Sequence, residues 1–407
     1  MKTRDDRGEC VVFGAGALGL GFLGPELTPN FRITYVDIPA KGDLLDYLAS
    51  EGRYVVNETG PSARRVSVEH VRGVRVDDEE SVERALNSAE LVFTSVGEPN
   101  LSRVAPTLAE EASQRTGDAP LRILCCENGV EIAEKLRGLI GQNLGEALEG
   151  RARVGDTVMG RMCQIAEEPK KYQSTVTPAC DWAVVGEPFF GMPVEEHVVE
   201  GLPVSCAALQ PCSPAVFAGL EDVKMLAHNG LHAFLAFLGA LKGKELFCQL
   251  REEPDVMELA RGLLVDEGWT ALHRKHGPAL DRNYYLNYAP TIMRRITCPG
   301  FGDAVSRGIR GAMRKLRPWE RMVYSVRTVA GQGVRPENAA MGLAAGIEVA
   351  RRQGETDLSF HEVLTEHCGF SEDEDVELID LVTEKRRGLE DCAGSSAPAS
   401  PPFGGSI

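Results

Sequence analysis

The chain of 407 residues contains no Cys-x-x-C pair, no His-Glu-x-x-His run and no tyrosine with a lysine four residues on. Each absence removes a chemistry. Without paired thiols or clustered histidines there is no local signature of a zinc finger or a catalytic zinc centre. Without Tyr-x-x-x-Lys, one common proton donor for alcohol and ketone chemistry has no place. Eleven cysteines, two of them adjacent at Cys125 and Cys126, are too sparse for a disulfide scaffold. They read as reduced thiols packed as small apolar groups. Positive charge is also short. Lys and Arg number 44 against 60 Asp and Glu, a formal net charge of -16, which argues against a nucleic-acid partner. No uncharged apolar stretch reaches the length of a membrane-spanning helix. The N-terminus places charge before an apolar run, as a signal peptide does, but Asp5, Asp6 and Glu9 spoil its basic region. The expectation is a cytoplasmic protein with no membrane partner.

What is present is an ordinary hydrophobic fraction, 43%, arranged in two patterns. Residues 10–37 read as strand, glycine turn, helix and strand. Further strands are expected at 89–97, 121–129, 181–188 and 198–205, with helical patterns such as "GDLLDYLASEG" and "SRVAPTLAEEASQR" between them. Strands alternating with helices predict an α/β domain with a Rossmann-type, doubly wound parallel sheet over residues 1–213. From Pro214 the period becomes 3.6, over 216–242, 254–276, 280–295, 303–315, 318–331, 337–353 and 376–387. This predicts a mostly α-helical substrate and catalytic domain over 214–387. Residues 388–407, rich in Ser, Pro, Gly and Ala, are expected to form a disordered tail.

"FGAGALGLGFLG" holds Gly14-x-Gly16-x-x-Gly19 directly after the first strand. Gly14 allows the tight turn, Gly16 lets a pyrophosphate approach the backbone, and Gly19 lets helix and strand pack closely. Ala17 and Leu18 open the helix, whose N-terminus offers free N–H groups to phosphates. Asp37 ends the second strand, 18 residues after Gly19. A carboxylate there accepts ribose hydroxyls and repels a 2′-phosphate, so NAD (NADH) is expected rather than NADP.

The run "DVKMLAHNGLHAFLAFLGA" carries Lys224, His228, Asn229 and His232 inside an apolar helix. At about 100° per residue, His228, His232 and Asn229 fall roughly 40°, 80° and 140° from Lys224, opposite the large apolar side chains. A solvated face would carry more charge. Burial would depress the lysine pKa toward the range of a general base. An amphipathic helix with a snorkelling lysine and satisfied core histidines fits the spacing equally well.

Lys-x-x-x-x-Asn-x-x-His resembles the catalytic signature of the polyol-specific long-chain dehydrogenases. "FGAGALGLGFLG", "FTSVGEPNLSRVAPTLA", "CCENGVE", "DWAVV" and "RITCPGFGDAVSRGIRGAMRKL" resemble that family's other segments in the same order, especially those of its mannitol-1-phosphate 5-dehydrogenase branch. The resemblance implies that Lys224 is the general acid/base, that Asn128 and Asn229 hold the reacting oxygen, and that His232 binds substrate hydroxyls or orients the lysine. It implies that Arg307 and Lys315, eight residues apart, bind substrate. It also places Val96 and Glu98 on the cofactor side. His228 has no counterpart in the signature and reads as structural, or as a further substrate contact. No metal is implied. The expected substrate is a small polyol, keto-sugar or sugar phosphate, and the expected state is a monomer or small homo-oligomer. Three departures concern the substrate and cofactor contacts: Gly160 stands in place of an aspartate, Cys298 in place of an asparagine and Leu20 in place of a frequent arginine. They point to a modified substrate. The alternatives are a ketopantoate- or opine-type reductase and a non-catalytic NAD-binding regulator.

Overall fold

A computed structural model describes residues 6–60, 63–115, 119–144, 148, 150–170 and 173–393. The chain divides into two compact units, Met1–Ala218 and Gly219–Ile407. Among the described residues the first unit has twelve strands: β1 (Gly8–Phe13), β2 (Phe31–Asp37), β3 (Arg53–Glu58), β4 (Arg64–Glu69), β5 (Val71–Arg75), β6 (Leu91–Thr94), β7 (Leu121–Cys125), β8 (Ala152–Asp156), β9 (Cys163–Ala166), β10 (Ala183–Gly186), β11 (Met192–Glu195) and β12 (Leu209–Cys212).

Six strands form one sheet in the order β5-β2-β1-β6-β7-β8, every neighbouring pair parallel. Counted by chain order within that sheet, this is the doubly wound arrangement whose strand order reverses beside the first strand. β1 shows why the sequence selects it. Cys10 and Val12 enter one core with Phe93 and Leu124, while Val11 and Phe13 enter another with Val92 and Ile123. A strand buried on both faces must be apolar throughout, as this one is.

Several expected elements differ. β10 is confined to Ala183–Gly186 and lies in a separate mixed sheet, β4-β3-β10-β9. Residues 198–205 form no strand. A short helix, Glu196–Val199, ends there and a turn follows, because Gly201 takes φ +70° and Pro203 has no N–H for a ladder. β3, β4 and β5 were not expected; β4 is charged and largely exposed, and β5 carries two arginines among five residues.

The second unit is helical. Leu231–Leu241 is buried over almost its whole length and packs on Glu337–Arg352. Glycines permit the approach: a Cβ at Gly342 would lie 2.5 Å from Phe234, and one at Gly346 would lie 2.8 Å from Phe237. The expected helix 303–315 is broken into Val305–Ile309 and a 3₁₀ turn, Met313–Leu316, with Gly311 at φ +63° between them. The last helix, Val376–Ala393, runs six residues past its expected end at 387, into the segment expected as tail; residues 394–407 lie outside the described ones. Among the described residues no helix is long and apolar enough to cross a membrane.

Candidate active site

In the first unit the chain ends of β1 and β6 lie side by side where the strand order reverses, the crevice in which such sheets bind ligands. Gly14 takes φ +106°, and a Cβ on it would strike the Ser95 carbonyl oxygen at 2.2 Å. Gly19 lies so close to the turn that its Cβ would be 2.0 Å from the Gly14 oxygen. At Gly16 an added Cβ would meet nothing within 4 Å. The three glycines therefore have the geometry their spacing implied: a strained turn, an open approach and a tight packing contact. Ala17 and Leu18 begin the helix, and the Leu20 N–H closes its first turn on Gly16 O at 2.9 Å. Leu20 itself is wholly buried, so the position that often carries arginine belongs here to the core.

Asp37 is more heavily engaged than expected. Its Oδ2 accepts the Ala15 N–H at 2.7 Å and the Lys41 Nζ at 2.7 Å, and its Oδ1 accepts the Ile38 N–H at 2.8 Å. Ile38 and Val76 are exposed apolar side chains on either side of it, Val76 donating its N–H to Asp37 O at 2.9 Å. At the end of β6, the Val96 and Gly97 N–H groups both donate to Glu127, each at 2.8 Å. Burial raises the Glu127 pKa and those two bonds oppose the rise. Glu98 Oε1 is paired with Lys135 Nζ at 2.6 Å. Asn128 is exposed in the loop after β7. Gly160 has a steric reason to be glycine: a Cβ there would lie 2.5 Å from the Phe189 ring. The neighbouring Arg161 is buried and donates to Glu58 at 3.1 Å.

In the second unit Lys224 opens a π-helical segment, Lys224–Gly230, that leads directly into Leu231–Leu241. In such a segment the bonding runs from i to i+5, which lowers the rotation per residue below the α-helical value of about 100°. Asn229, five positions after Lys224, therefore lies closer to it around the helix axis than α-helical spacing gives. The 140° offset derived from α-helical spacing does not apply. Lys224 and Asn229 are half-buried, and His228 is buried. Nδ1 of His228 lies 3.2 Å from the Tyr288 hydroxyl. Burial holds the His228 pKa well below its ordinary value, and the charges of Lys224, Arg295, His232 and Arg321 add to the depression.

His232 has a partner that the sequence reading missed. Its Nε2 lies 3.1 Å from Asp303 Oδ2. Arg307, expected on substrate, grips the same carboxylate through Nε at 2.6 Å and Nη2 at 2.5 Å. Burial alone would raise Asp303, but the bonds from His232 and Arg307 outweigh it and hold the pKa at about 2. The ionised carboxylate can only accept. Nε2 of His232 therefore carries the proton and donates it, leaving Nδ1 as the acceptor. Burial keeps that imidazole neutral against the opposing pull of Asp303. Lys315 is buried and donates to the Gly308 carbonyl. Burial, followed by Arg321, Arg314 and Arg307, lowers its pKa to about 7.

Lys224, His228, His232, Arg307 and Lys315 thus form one electrostatic neighbourhood, with Asp303 and Tyr288 added to it. Asp303 stood four residues before Arg307 in the sequence, a spacing that pairs side chains on one helical turn, and could have been found from it. Tyr288, 60 residues from His228, left no such signal. Cys298 is half-buried in the turn that follows Arg282–Ile296. Among the described residues no three His, Cys, Asp or Glu side chains converge on a possible metal position.

Two family models match the chain: the mannitol dehydrogenase Rossmann domain over residues 9–203 and the mannitol dehydrogenase C-terminal domain over residues 219–363. A mannitol-1-phosphate 5-dehydrogenase of Exiguobacterium sibiricum is 27% identical over 341 residues, covering 83% of this chain and 85% of that one. One from Brevibacillus brevis is 26% identical over 401 residues, covering 95% and 99%. Among solved structures, mannitol 2-dehydrogenase of Pseudomonas fluorescens, in ternary complex with NAD and D-mannitol, shares the fold. It aligns with TM-score 0.72 and 16% identity over 96% of this chain and 93% of that one.

Proposed function

The chain belongs to the mannitol dehydrogenase family, and from that premise we propose that it is an NAD-dependent dehydrogenase interconverting a secondary alcohol and a ketone on a polyol, a sugar or its phosphate. One observation carries the reading. Lys224, a single ammonium group in an apolar helix, opens a π-turn and shares its neighbourhood with two histidines whose pKa values are lowered. A cofactor is accommodated by the first unit's own geometry: the turn at Gly14, the open approach at Gly16 and the apolar side chains beside Asp37. NAD, when bound, supplies the hydride acceptor or donor.

The chain's residues supply the rest. Lys224 removes the hydroxyl proton as the alcohol is oxidised and returns it to the oxygen as the ketone is reduced. Asn229, in the same π-helical segment, donates a neutral hydrogen bond to that oxygen, and Asn128 is assigned the same role. His232 presents Nδ1 as an acceptor for a substrate hydroxyl, with its ring fixed by Asp303. Arg307 and Lys315 bind the far end of the substrate. Proton transfer by an ammonium group needs no metal. The substrate is mannitol-1-phosphate-like but need not be mannitol 1-phosphate itself, since Phe189 stands against Gly160 and removes room for a polar side chain there. Small-molecule turnover in the cytoplasm, by a monomer or small homo-oligomer, fits this reading.

The test is NADH oxidation with a panel of ketoses, keto-cyclitols and their phosphates, run with wild type and Lys224→Ala. Wild type is expected to turn over at least one of them, and the alanine variant to lose about 10²- to 10⁴-fold in rate, the usual worth of a general acid/base. A variant as fast as wild type would remove Lys224 from the chemistry.

A further inference from the structure

We propose that Lys41 sets the cofactor selectivity of this chain by neutralising Asp37, so that NADPH is accepted alongside NADH. The inference rests on the proposed dinucleotide site of the first unit and concerns its ribose end. An ionised carboxylate has about four lone-pair sites. Three of those on Asp37 are taken: two on Oδ2, by the Ala15 N–H and Lys41, and one on Oδ1, by the Ile38 N–H. One acceptor position on Oδ1 remains, enough for one ribose hydroxyl. Lys41 is fixed in turn, since its Nζ also donates to Ala15 O at 3.0 Å. An ammonium has three donors, so one is left over.

The local chain explains how the lysine arrives there. Ile38 is extended, and Pro39–Lys41 forms a single 3₁₀ turn closed by the Lys41 N–H on Ile38 O at 3.0 Å. That turn brings Lys41 back over the glycine loop. A second cation stands nearby. Arg75 is in register with Asp37 on β5, its Nη2 paired with Asp46 at 2.5 Å. It lies against Gly42, where a Cβ would be 2.9 Å from the guanidinium. A bare carboxylate at this position repels a 2′-phosphate. The Asp37–Lys41 pair is neutral as a whole and presents an acceptor and a cationic donor side by side. The acceptor suits a 2′-hydroxyl and the donor suits a 2′-phosphate. On this proposal the charge of Asp37 is not enough by itself to exclude NADP.

The experiment is titration of the full chain with NADH and with NADPH at fixed ionic strength, read by cofactor fluorescence, so that no substrate is needed. Wild type is expected to bind both, with dissociation constants within about tenfold of each other. Lys41→Met and Lys41→Gln should widen the preference for NADH by about tenfold, the worth of one hydrogen bond to a charged group. Lys41→Arg should restore the wild-type ratio, and Asp37→Asn should shift it toward NADPH. The inference is overturned if the neutral variants keep the wild-type ratio, if they weaken both cofactors equally, or if Lys41→Arg behaves as they do. Those outcomes leave the dehydrogenase reading intact. Wild type that binds neither dinucleotide removes both.

Discussion

Asp303 holds two groups at once, and its charge decides what each can do. By accepting from His232 it fixes the tautomer, and by accepting twice from Arg307 it keeps that guanidinium in place. Removing one partner of a buried pair leaves the other charge uncompensated. Asp303→Ala is therefore expected to lower unfolding stability by about 3 kcal/mol in urea titration and to raise KM. Asp303→Asn, which keeps an acceptor, should recover part of the KM effect; an equal loss in both variants would mean that the charge, not the bonded oxygen, matters. Lys315 gives a second prediction at this scale. With its pKa held at about 7, its charge falls away as pH rises through neutrality. If it binds a phosphate, KM for a phosphorylated substrate should rise between about pH 6 and pH 8, by up to roughly tenfold per pH unit. KM for the free sugar should stay flat. Parallel profiles for the two substrates would remove the phosphate role.

The elements explain what the sequence made visible and what it hid. Strands buried on both faces, such as β1, and long amphipathic helices, such as Glu337–Arg352, have apolar patterns that reveal them directly. The π-turn at Lys224–Gly230 has no such pattern, because hydropathy does not record which carbonyl each N–H reaches. The types and spacing of the three residues of the Lys-Asn-His signature were thus legible, while their angular relation was not. Spacing could tie Asp303 to Arg307 but not to His232, 71 residues away, nor Tyr288 to His228, 60 residues away. A second π-segment, Gly262–Trp269, packs on the first. Their contact depends on Gly268, where a Cβ would lie 2.6 Å from the Tyr285 hydroxyl and 2.8 Å from Leu226. Gly268→Ala should therefore displace the segment that carries Lys224. The expected outcome is a destabilisation of about 1–3 kcal/mol with a fall in kcat, measured at a temperature where the variant is still folded. Unchanged stability and rate would show that the two π-segments move apart freely.

Across the whole molecule, buried ionisable groups shape the dependence of stability on pH, and they pull in opposite directions. His228 and His232 have lowered pKa values. Their contribution is present above the unfolded value of about 6.5 and is lost as pH falls from there toward their folded values. Asp303, at about 2 when folded, contributes above the unfolded value of about 3.9 and loses that contribution as pH falls toward 2. Asp156 has the other sign. Burial raises it to about 6, although its carboxylate accepts the Ala133 N–H and so caps the helix Ile132–Leu144. Its stabilising contribution is present below the unfolded value and is lost as pH rises through 6. Asparagine keeps the acceptor and removes the charge. Asp156→Asn is therefore expected to be nearly neutral at pH 4 and to raise unfolding stability at pH 8 by about 1–2 kcal/mol, a figure bounded by a shift of about two pKa units. Urea unfolding of both proteins at the two pH values measures this directly. A gain of equal size at both would assign it to packing. A loss at pH 8 would mean that the charge is needed at that helix N-terminus, where the dipole favours an anion.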